Sequence, residues 1–340
     1  MSIIIVNYRT AGLVVDCLRS LAAELASGDS FRVVVVDNAS GDGSLAALQG
    51  AVAEHGWGGW CDVVDAGRNG GFAFGNNVGM RHAIEAGDAR GEPVEALHLL
   101  NPDTYVRPGA VRALAAFLAG RAEVGIVGSR LENPDGTVRR GAFRYHTVAS
   151  EVEGQLRLGP VSRLLSRWVV APAAPEGAWR VGWVTGASMM IRREAIDAAG
   201  LMDDGYFLYF EETDLCLRVA RAGWEIWQEP ASRVVHLVGQ STGVNQKDAK
   251  PRPKPAYWYD SRRRYFEKNF GGVYADAVDA ARCVAVLASR GLGAVLGRSG
   301  DETLSVSGVL AARRRSVLSS RDGARGAAGA GGAGGVGAGA

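Results

Sequence analysis

The sequence predicts an α/β protein built on a wound, mostly parallel sheet flanked by helices. Three observations lead there. Short apolar runs recur at Ile3 to Val6, Val33 to Val36 and Leu97 to Leu100, each the length of a buried strand. Stretches with apolar residues at helical spacing separate them, as in a chain of βαβ units. Two of the runs lead into an acidic residue, "VVVVD" at Asp37 and "LHLLNPD" at Asp103. Ligands collect at that carboxyl edge in open α/β sheets.

Taken in order, Ile3 to Val6 is a strand, and Leu13, Cys17, Leu21 and Leu25 follow at helical spacing after a cap at Thr10. Val33 to Val36 is a strand, Ser44 to Glu54 a helix and Asp62 to Val64 a weaker strand. The segment Gly67 to Gly79 holds five glycines and three asparagines. It reads as a loop that lets backbone approach a polar ligand, or as a plain surface loop, with a helix from about Val78 to Glu85. Leu97 to Leu100 is the next strand, followed by a helix through Leu114 and Phe117 and the strand "VGIVGSRL". "TVRRGAFRYH" suggests a hairpin arm, and residues 150 to 180, with three prolines, an irregular excursion. "WRVGWVTGASMMIRREAIDAAG" reads as strand then short helix, "FEETDLCLRVARAG" as a helix closed by Gly223, and "WEIWQEP" and "RVVH" as two strands. A Pro/Lys linker from residue 247 leads into an aromatic and arginine cluster, and residues 277 to 297 into an amphipathic helix. The expected domains are 1–240, an extension at 241–300, and a largely disordered Gly/Ala-rich tail at 301–340.

Composition narrows the class. With 340 residues and 47% hydrophobic content, the chain can bury a sizeable core. A net charge of +2 lacks the basic field that nucleic-acid binding needs. Cys17, Cys61, Cys216 and Cys283 show no metal-ligand spacing, and "SIIIVNY" reads as a strand, not a signal peptide. No apolar run approaches the ~20 residues needed to span a bilayer. A cytoplasmic protein is expected.

The candidate site residues each have a plainer reading beside the functional one. Asn101-Pro102-Asp103 recurs as Asn133-Pro134-Asp135-Gly136, where polar neighbours make it an ordinary turn. Only the first copy follows a buried strand. Asp37 is a cap or a ligand-facing acid. Gly41-x-Gly43-x-x-Ala46 matches a dinucleotide fingerprint in spacing, yet its first glycine lies four residues past Asp37. Glu211, Glu212 and Asp214 crowd one helix turn. Each complements the helix dipole by only ~0.3 to 1 kcal/mol, an effect that does not require three acids. Neighbouring carboxylates raise one another's pKa, which tunes a general base toward neutral pH. His236 ends "RVVH" and matters if it converges with Asp103.

Together, "SIIIVNYRT", "VVVVDNASGDGS", "GRNGGFAFGNNVGM", "LLNPDTYV", "GWVTGASMMIRREAI", "YFEETDLCLRVARAGW" and "VVHLVGQST" resemble glycosyltransferase family 2, the inverting nucleotide-sugar transferases of GT-A fold, and especially its rhamnosyltransferase-like branch. The resemblance runs from about Ser2 to Gly271. It implies that Asp103 and His236 hold a divalent cation, Mg²⁺ or Mn²⁺, with Asn101 standing where a second aspartate is usual. It implies that Asp37 accepts a hydrogen bond from the donor's base, that Asn7, Arg68 and Asn69 line the nucleotide cleft, and that Glu212 is the catalytic base, with Glu211 or Asp214 as alternatives. The implied donor is dTDP-rhamnose, or else a UDP-hexose, and the implied acceptor a glycan or polyprenyl-diphosphate-linked saccharide. Arg262, Arg263 and Arg264 among aromatics fit a peripheral membrane contact or a solvated arginine face. An NAD-dependent oxidoreductase and a noncatalytic sugar-binding protein are the rival classes. Oligomeric state is not fixed by the sequence.

Overall fold

The computed structural model describes residues 1–156, 159–237, 253–295 and 305–330. The chain opens with β1 (Ser2–Asn7), α1 (Ala11–Ala26), β2 (Arg32–Asp37), α2 (Ser44–Glu54), β3 (Cys61–Asp65), α3 (Gly71–Ala89), β4 (Ala96–Leu100), β5 (Thr104–Val106), α4 (Ala110–Ala119) and β6 (Val124–Glu132). Shorter elements follow: β7 (Val138–Arg139), β8 (Ala142–Phe143), α5 (Val148–Leu156), α6 (Gly159–Leu164), β9 (Trp179–Arg180), β10 (Trp183–Val184), β11 (Ser188–Arg192) and α7 (Arg193–Ala199). The long elements α8 (Glu211–Arg221) and β12 (Glu225–His236) come next, then α9 (Ala256–Phe270), α10 (Gly272–Val295) and α11 (Val306–Ala330).

One sheet organises the molecule in the order β3-β2-β1-β4-β11-β6-β12-β5, with β7 beside β6 and β9 beside β12. β1 pairs in parallel with β2 and β4, and β12 with β6, whereas β11 runs antiparallel between β4 and β6. All six residues of β1 are buried, because helices cover both faces and a strand so placed reads as an unbroken apolar run. Successive residues serve opposite sides. Ile3 and Ile5 pack with Leu18, Leu21 and Leu114, while Ile4 packs with Met80, Leu215 and Val219.

The glycine- and asparagine-rich segment is a loop only as far as Gly70, and from Gly71 it forms the first turns of α3, ahead of the helix start expected near Val78. Its glycines permit close contact with the sheet. A Cβ at Gly75 would stand 2.7 Å from a Val6 methyl, and one at Gly79 2.4 Å from Ile4 Cγ2. The asparagines serve structure too: Asn76 donates to Phe72 O, and Asn77 exchanges two hydrogen bonds with the Met202 backbone.

Other expectations change as well. Residues 150 to 180 open with α5 and α6, and the irregular excursion expected there is confined to 169–178, which holds Pro172 and Pro175. The first part of "TVRRGAFRYH" is the hairpin arm expected, since β7 pairs antiparallel with β6 across the Asn133–Gly136 turn, whereas β8 leaves that hairpin to pair with β10. "WEIWQEP" and "RVVH" form one strand, with a register shift between Glu229 and Arg233 that accommodates Pro230. The linker at 247–252 and the last ten residues lie outside the described residues. The expected tail is helical over Val306–Ala330, and Val309 and Ala312 are buried against Tyr259.

Neither reading of the arginine cluster survives for Arg262 and Arg263, which are 1% and 4% exposed. Arg262 pairs with Glu151 and Asp279, and Arg263 with Glu267, Asp276 and Asp279, tying α5, α9 and α10 together. Arg264 alone is half-exposed, on Asp203. Among the described residues no helix is long and apolar enough to cross a membrane.

Gly79→Ala separates two opposing effects. Helix propensity favours Ala by about 1 kcal/mol, but overpacking against Ile4 costs about 1 to 3 kcal/mol. The variant is expected to unfold at lower urea than the wild type, and a stabilised variant would show that α3 can lift from the sheet at little cost.

Candidate active site

A cleft of about 460 Å³ opens at the carboxyl edge of the sheet, lined among others by Asn38, Asn69, Asn101, Asp103, Glu211, Glu212 and His236. Backbone strain concentrates there. Among the described residues the non-glycine positions with left-handed φ are Arg9, Ala39, Tyr209 and Phe210. The first two follow β1 and β2, and the last two lead directly into α8. Such residues cost about 1 to 3 kcal/mol each and persist only where their surroundings hold them.

Asp103 and His236 meet because of strand pairing. β5 leaves the tip of β4 and runs antiparallel to the end of β12, setting His236 opposite Thr104, while Leu237 N–H donates to Asp103 O at 2.9 Å. His236 Nε2 then stands 3.2 Å from Asp103 Oδ1 and 3.4 Å from Asn101 Nδ2. Asp103 Oδ1 and Asn101 Oδ1 are buried yet accept no hydrogen bond. If Asn101 donates to Nε2, that nitrogen is unprotonated and its lone pair shares a small space with a carboxylate oxygen. A divalent cation would suit this arrangement: two protein donors of O and N type, with the remaining positions open to ligand and water. Among the described residues no group of three or more His, Cys, Asp or Glu gathers to form a closed metal cage. The second Asn-Pro-Asp copy is the β6–β7 turn, closed by Gly136 N–H to Asn133 O and Thr137 N–H to Asp135 Oδ1.

The three acids of α8 separate in role. Asp214 is fully buried and accepts from Tyr206 Oη, Arg218 Nε, Lys268 Nζ and Asn269 Nδ2 at 2.8 to 3.3 Å. Burial works against its charge, but those donors more than offset it and hold the carboxyl below its ordinary value. It anchors α8 and lies outside the cleft, so the structure does not bring it to the site as a base. Glu211 and Glu212 face the cleft, each with Oε2 buried and without a hydrogen-bond partner. Burial pushes Glu212 up to about 7, opposed by the backbone amides of Glu212 and Gly186. Burial, and then the Glu212 charge, raise Glu211 well above the usual carboxylate range. Glu212 is therefore the carboxyl poised to take a proton near neutral pH.

At the other end of the cleft, Asn7 and Asp37 sit opposite each other on β1 and β2. Asn7 Nδ2 donates to Asp37 Oδ1 at 2.7 Å, and Ser40 supplies its hydroxyl to Oδ1 and its N–H to Oδ2. Both residues brace the loops and do not line the cleft. Arg68 stacks on Phe74, 4.1 Å from the ring centroid, also away from it. Asn69 does line it and orients Asn38, whose Nδ2 bonds Asn69 Oδ1 and Gly71 O while its own Oδ1 is buried without a partner. Sequence reasoning missed Asn38, although it adjoins Asp37; it also missed Tyr8, Thr185, Gly186, Phe207, Tyr209 and Tyr257 on the cleft wall. The fingerprint-like Gly41 and Gly43 take left-handed φ, and Gly43 caps α2.

The glycosyl transferase family 2 model matches residues 2–197. The chain belongs to that family and to its rhamnosyltransferase-like branch, and it is a glycosyltransferase of GT-A fold. It is 28% identical over 261 residues to the N-acetylglucosaminyl-diphospho-decaprenol L-rhamnosyltransferase of Mycobacterium tuberculosis, covering 72% of this chain and 78% of that one. It is 23% identical over 234 residues to the rhamnosyltransferase WbbL of Escherichia coli, covering 69% and 82%. Among solved structures, the mannosyltransferase PcManGT from Pyrobaculum calidifontis, in complex with GDP-Man and Mn²⁺, shares the fold with a TM-score of 0.53 at 17% identity, over 93% of this chain and 79% of that one.

Because Glu212 holds its proton more tightly folded than unfolded, folding takes up a proton between pH about 4.5 and about 7. The group's stabilising contribution is thus full below the unfolded value and lost as pH rises through that window. Glu212→Gln removes the loss. The variant's stability advantage is expected to grow from near zero at pH 4.5 to roughly 3 kcal/mol above pH 7, read by urea unfolding at each pH. A pH-independent difference would contradict the burial account.

Proposed function

We propose that the chain transfers L-rhamnose from dTDP-rhamnose to a hydroxyl of a polyprenyl-diphosphate-linked saccharide, with inversion. The observation that carries this reading is the convergence in one cleft of Glu212, poised near neutral pH, with the Asp103–His236 pair. The names of the relatives in Mycobacterium tuberculosis and Escherichia coli support the donor sugar, and that of the first supports the acceptor class. A cytoplasmic enzyme working at the inner face of the membrane is the setting this implies.

In this reading Asn38 Oδ1 accepts the imide N–H of the donor base, and Asn69 fixes its carboxamide. Asp103 and His236 hold a divalent cation, which when bound neutralises charge on the departing nucleoside diphosphate. Glu212 takes the proton from the acceptor hydroxyl as that oxygen attacks the anomeric carbon from the face opposite the leaving group. Glu211, kept protonated by burial, adds no competing negative charge. The aromatic wall excludes water that would otherwise hydrolyse the donor.

Transfer is tested with dTDP-rhamnose and UDP-hexoses against a diphosphate-linked acceptor, with product configuration read by NMR. The expected result is an inverted rhamnoside, and activity with UDP-hexoses alone would transfer the assignment to that donor class. Glu212→Gln is expected to lower kcat by about 10² to 10⁴ while donor affinity stays within a few-fold. In the wild type, kcat/KM should fall as pH drops below about 7, where Glu212 gains its proton. Near-normal activity in the Gln variant would place the base elsewhere.

A further inference from the structure

A second cavity of about 530 Å³ lies between the 203–207 loop, α9 and α11, and shares Phe207 and Tyr257 with the active-site cleft. Its chemistry differs. Arg263, Arg264, Lys268 and Arg315 line it against two carboxylates, Asp260 and Glu267. We propose that this cavity receives the diphosphate of the acceptor, with Arg264 and Arg315 as its exposed cationic contacts and the Phe207–Tyr257 ridge carrying the sugar between it and Glu212. The inference rests on the acceptor class proposed above.

Three observations support a built site. First, the two guanidinium groups are held yet not used up. Arg264 binds Asp203 through Nε and Nη2, and Arg315 binds Asp260 through Nε and Nη2. In each the Nη1 group makes no hydrogen bond among the described residues, and the side chains are 45% and 47% exposed. An arginine braced by one carboxylate with a free edge suits a bidentate anion at low ordering cost.

Second, backbone has been cleared for Arg264. A Cβ on Gly205 would fall 2.3 Å from its guanidinium carbon, so a side chain there would displace the group from this position. Third, α11 is seated so as to bring Arg315 in. Gly308 leaves room for the Tyr259 ring, which a Cβ there would meet at 2.6 Å, and Ser305 N–H donates to Tyr259 Oη at 2.9 Å. The segment that composition marks as featureless tail thus supplies a wall of the cavity.

The connecting ridge suits a single sugar. Phe207 is 44% exposed, its ring 5.6 Å from Tyr257, and Tyr257 stacks with Tyr209 at 6.1 Å and 15°. Tyr209 lies two residues from Glu211, so a saccharide resting its C–H face on the ridge points a hydroxyl toward α8 and its anomeric diphosphate toward the cavity. Arg263 is saturated by three carboxylates and Lys268 by two, so neither is free for the ligand.

The test compares Arg264→Ala, Arg315→Ala and Gly205→Ala with wild type on two acceptors, a GlcNAc-diphospho-farnesyl lipid and neutral octyl N-acetylglucosaminide. Each variant is expected to raise KM for the diphosphate acceptor about tenfold, the loss of one charge-assisted hydrogen bond, with KM for the neutral acceptor, donor KM and kcat within twofold. Equal rises for both acceptors, or none, would overturn the site. Inorganic pyrophosphate binding by calorimetry in EDTA gives a readout independent of turnover: wild type should bind, and the double arginine variant at least tenfold more weakly. Undiminished binding in the double variant would overturn the proposal on its own. If wild type binds pyrophosphate but transfers rhamnose to neither acceptor, the donor and acceptor reading fails while the anion site stands.

Discussion

The site depends on one costly placement: two adjacent carboxyl groups at the first turn of a helix, Glu211 buried and Glu212 half-buried, each with an oxygen shielded from water and left without a hydrogen-bond partner. Burial raises both Glu211 and Glu212, and the turn that delivers them puts Tyr209 and Phe210 in left-handed backbone. Neither feature is stable by itself. What holds them is the far side of the same turn, where Asp214 gathers four donors from α8, α9 and the 206 loop. Arg218 adds hydrogen bonds to the carbonyls of Ala199, Gly200 and Leu201. Phe210 itself packs with Tyr206, Tyr265 and Phe266. Three acids on one turn therefore do two jobs, since one is spent on anchoring so that two can be left unsatisfied.

Much of this was legible, for identifiable reasons. Val33 to Val36 and Leu97 to Leu100 are buried on both faces, so their apolar runs announced themselves, and the acidic residue after each run fell at the carboxyl edge. The two Asn-Pro-Asp copies could be told apart by what precedes them. The pairing of Asp103 with His236 could not be derived from spacing, because it depends on β5 leaving β4 to join the end of β12. Family resemblance supplied that pair, and the ladder explains it.

The misreadings share a cause: composition was taken for conformation. Glycine and asparagine between 67 and 79 suggested a loop, but in α3 the same glycines permit contact with Ile4 and Val6, an outcome only tertiary packing decides. Arginine triplets suggested a charged surface, yet Glu151, Asp276 and Asp279, distant in sequence, bury two of the three. The helical end of the chain is seated by one tyrosine and one glycine, too little signal to rise above an alanine-rich background. The cleft itself draws Glu211, Glu212, His236 and Tyr257 from beyond the family-matched residues 2–197, and α9 and α11 wall the cavity beside it.

The central claim is that one cleft binds a nucleoside diphosphate through a cation held at Asp103 and His236. A thermal-shift panel of dTDP, UDP, GDP and NAD, each with Mn²⁺ or EDTA, on wild type and Asp103→Ala, tests it most directly. The account predicts stabilisation by dTDP, or by UDP if the donor class differs, only when Mn²⁺ is present and only in the wild type. Stabilisation by NAD in EDTA, or a nucleotide shift that survives both chelation and Asp103→Ala, would contradict it.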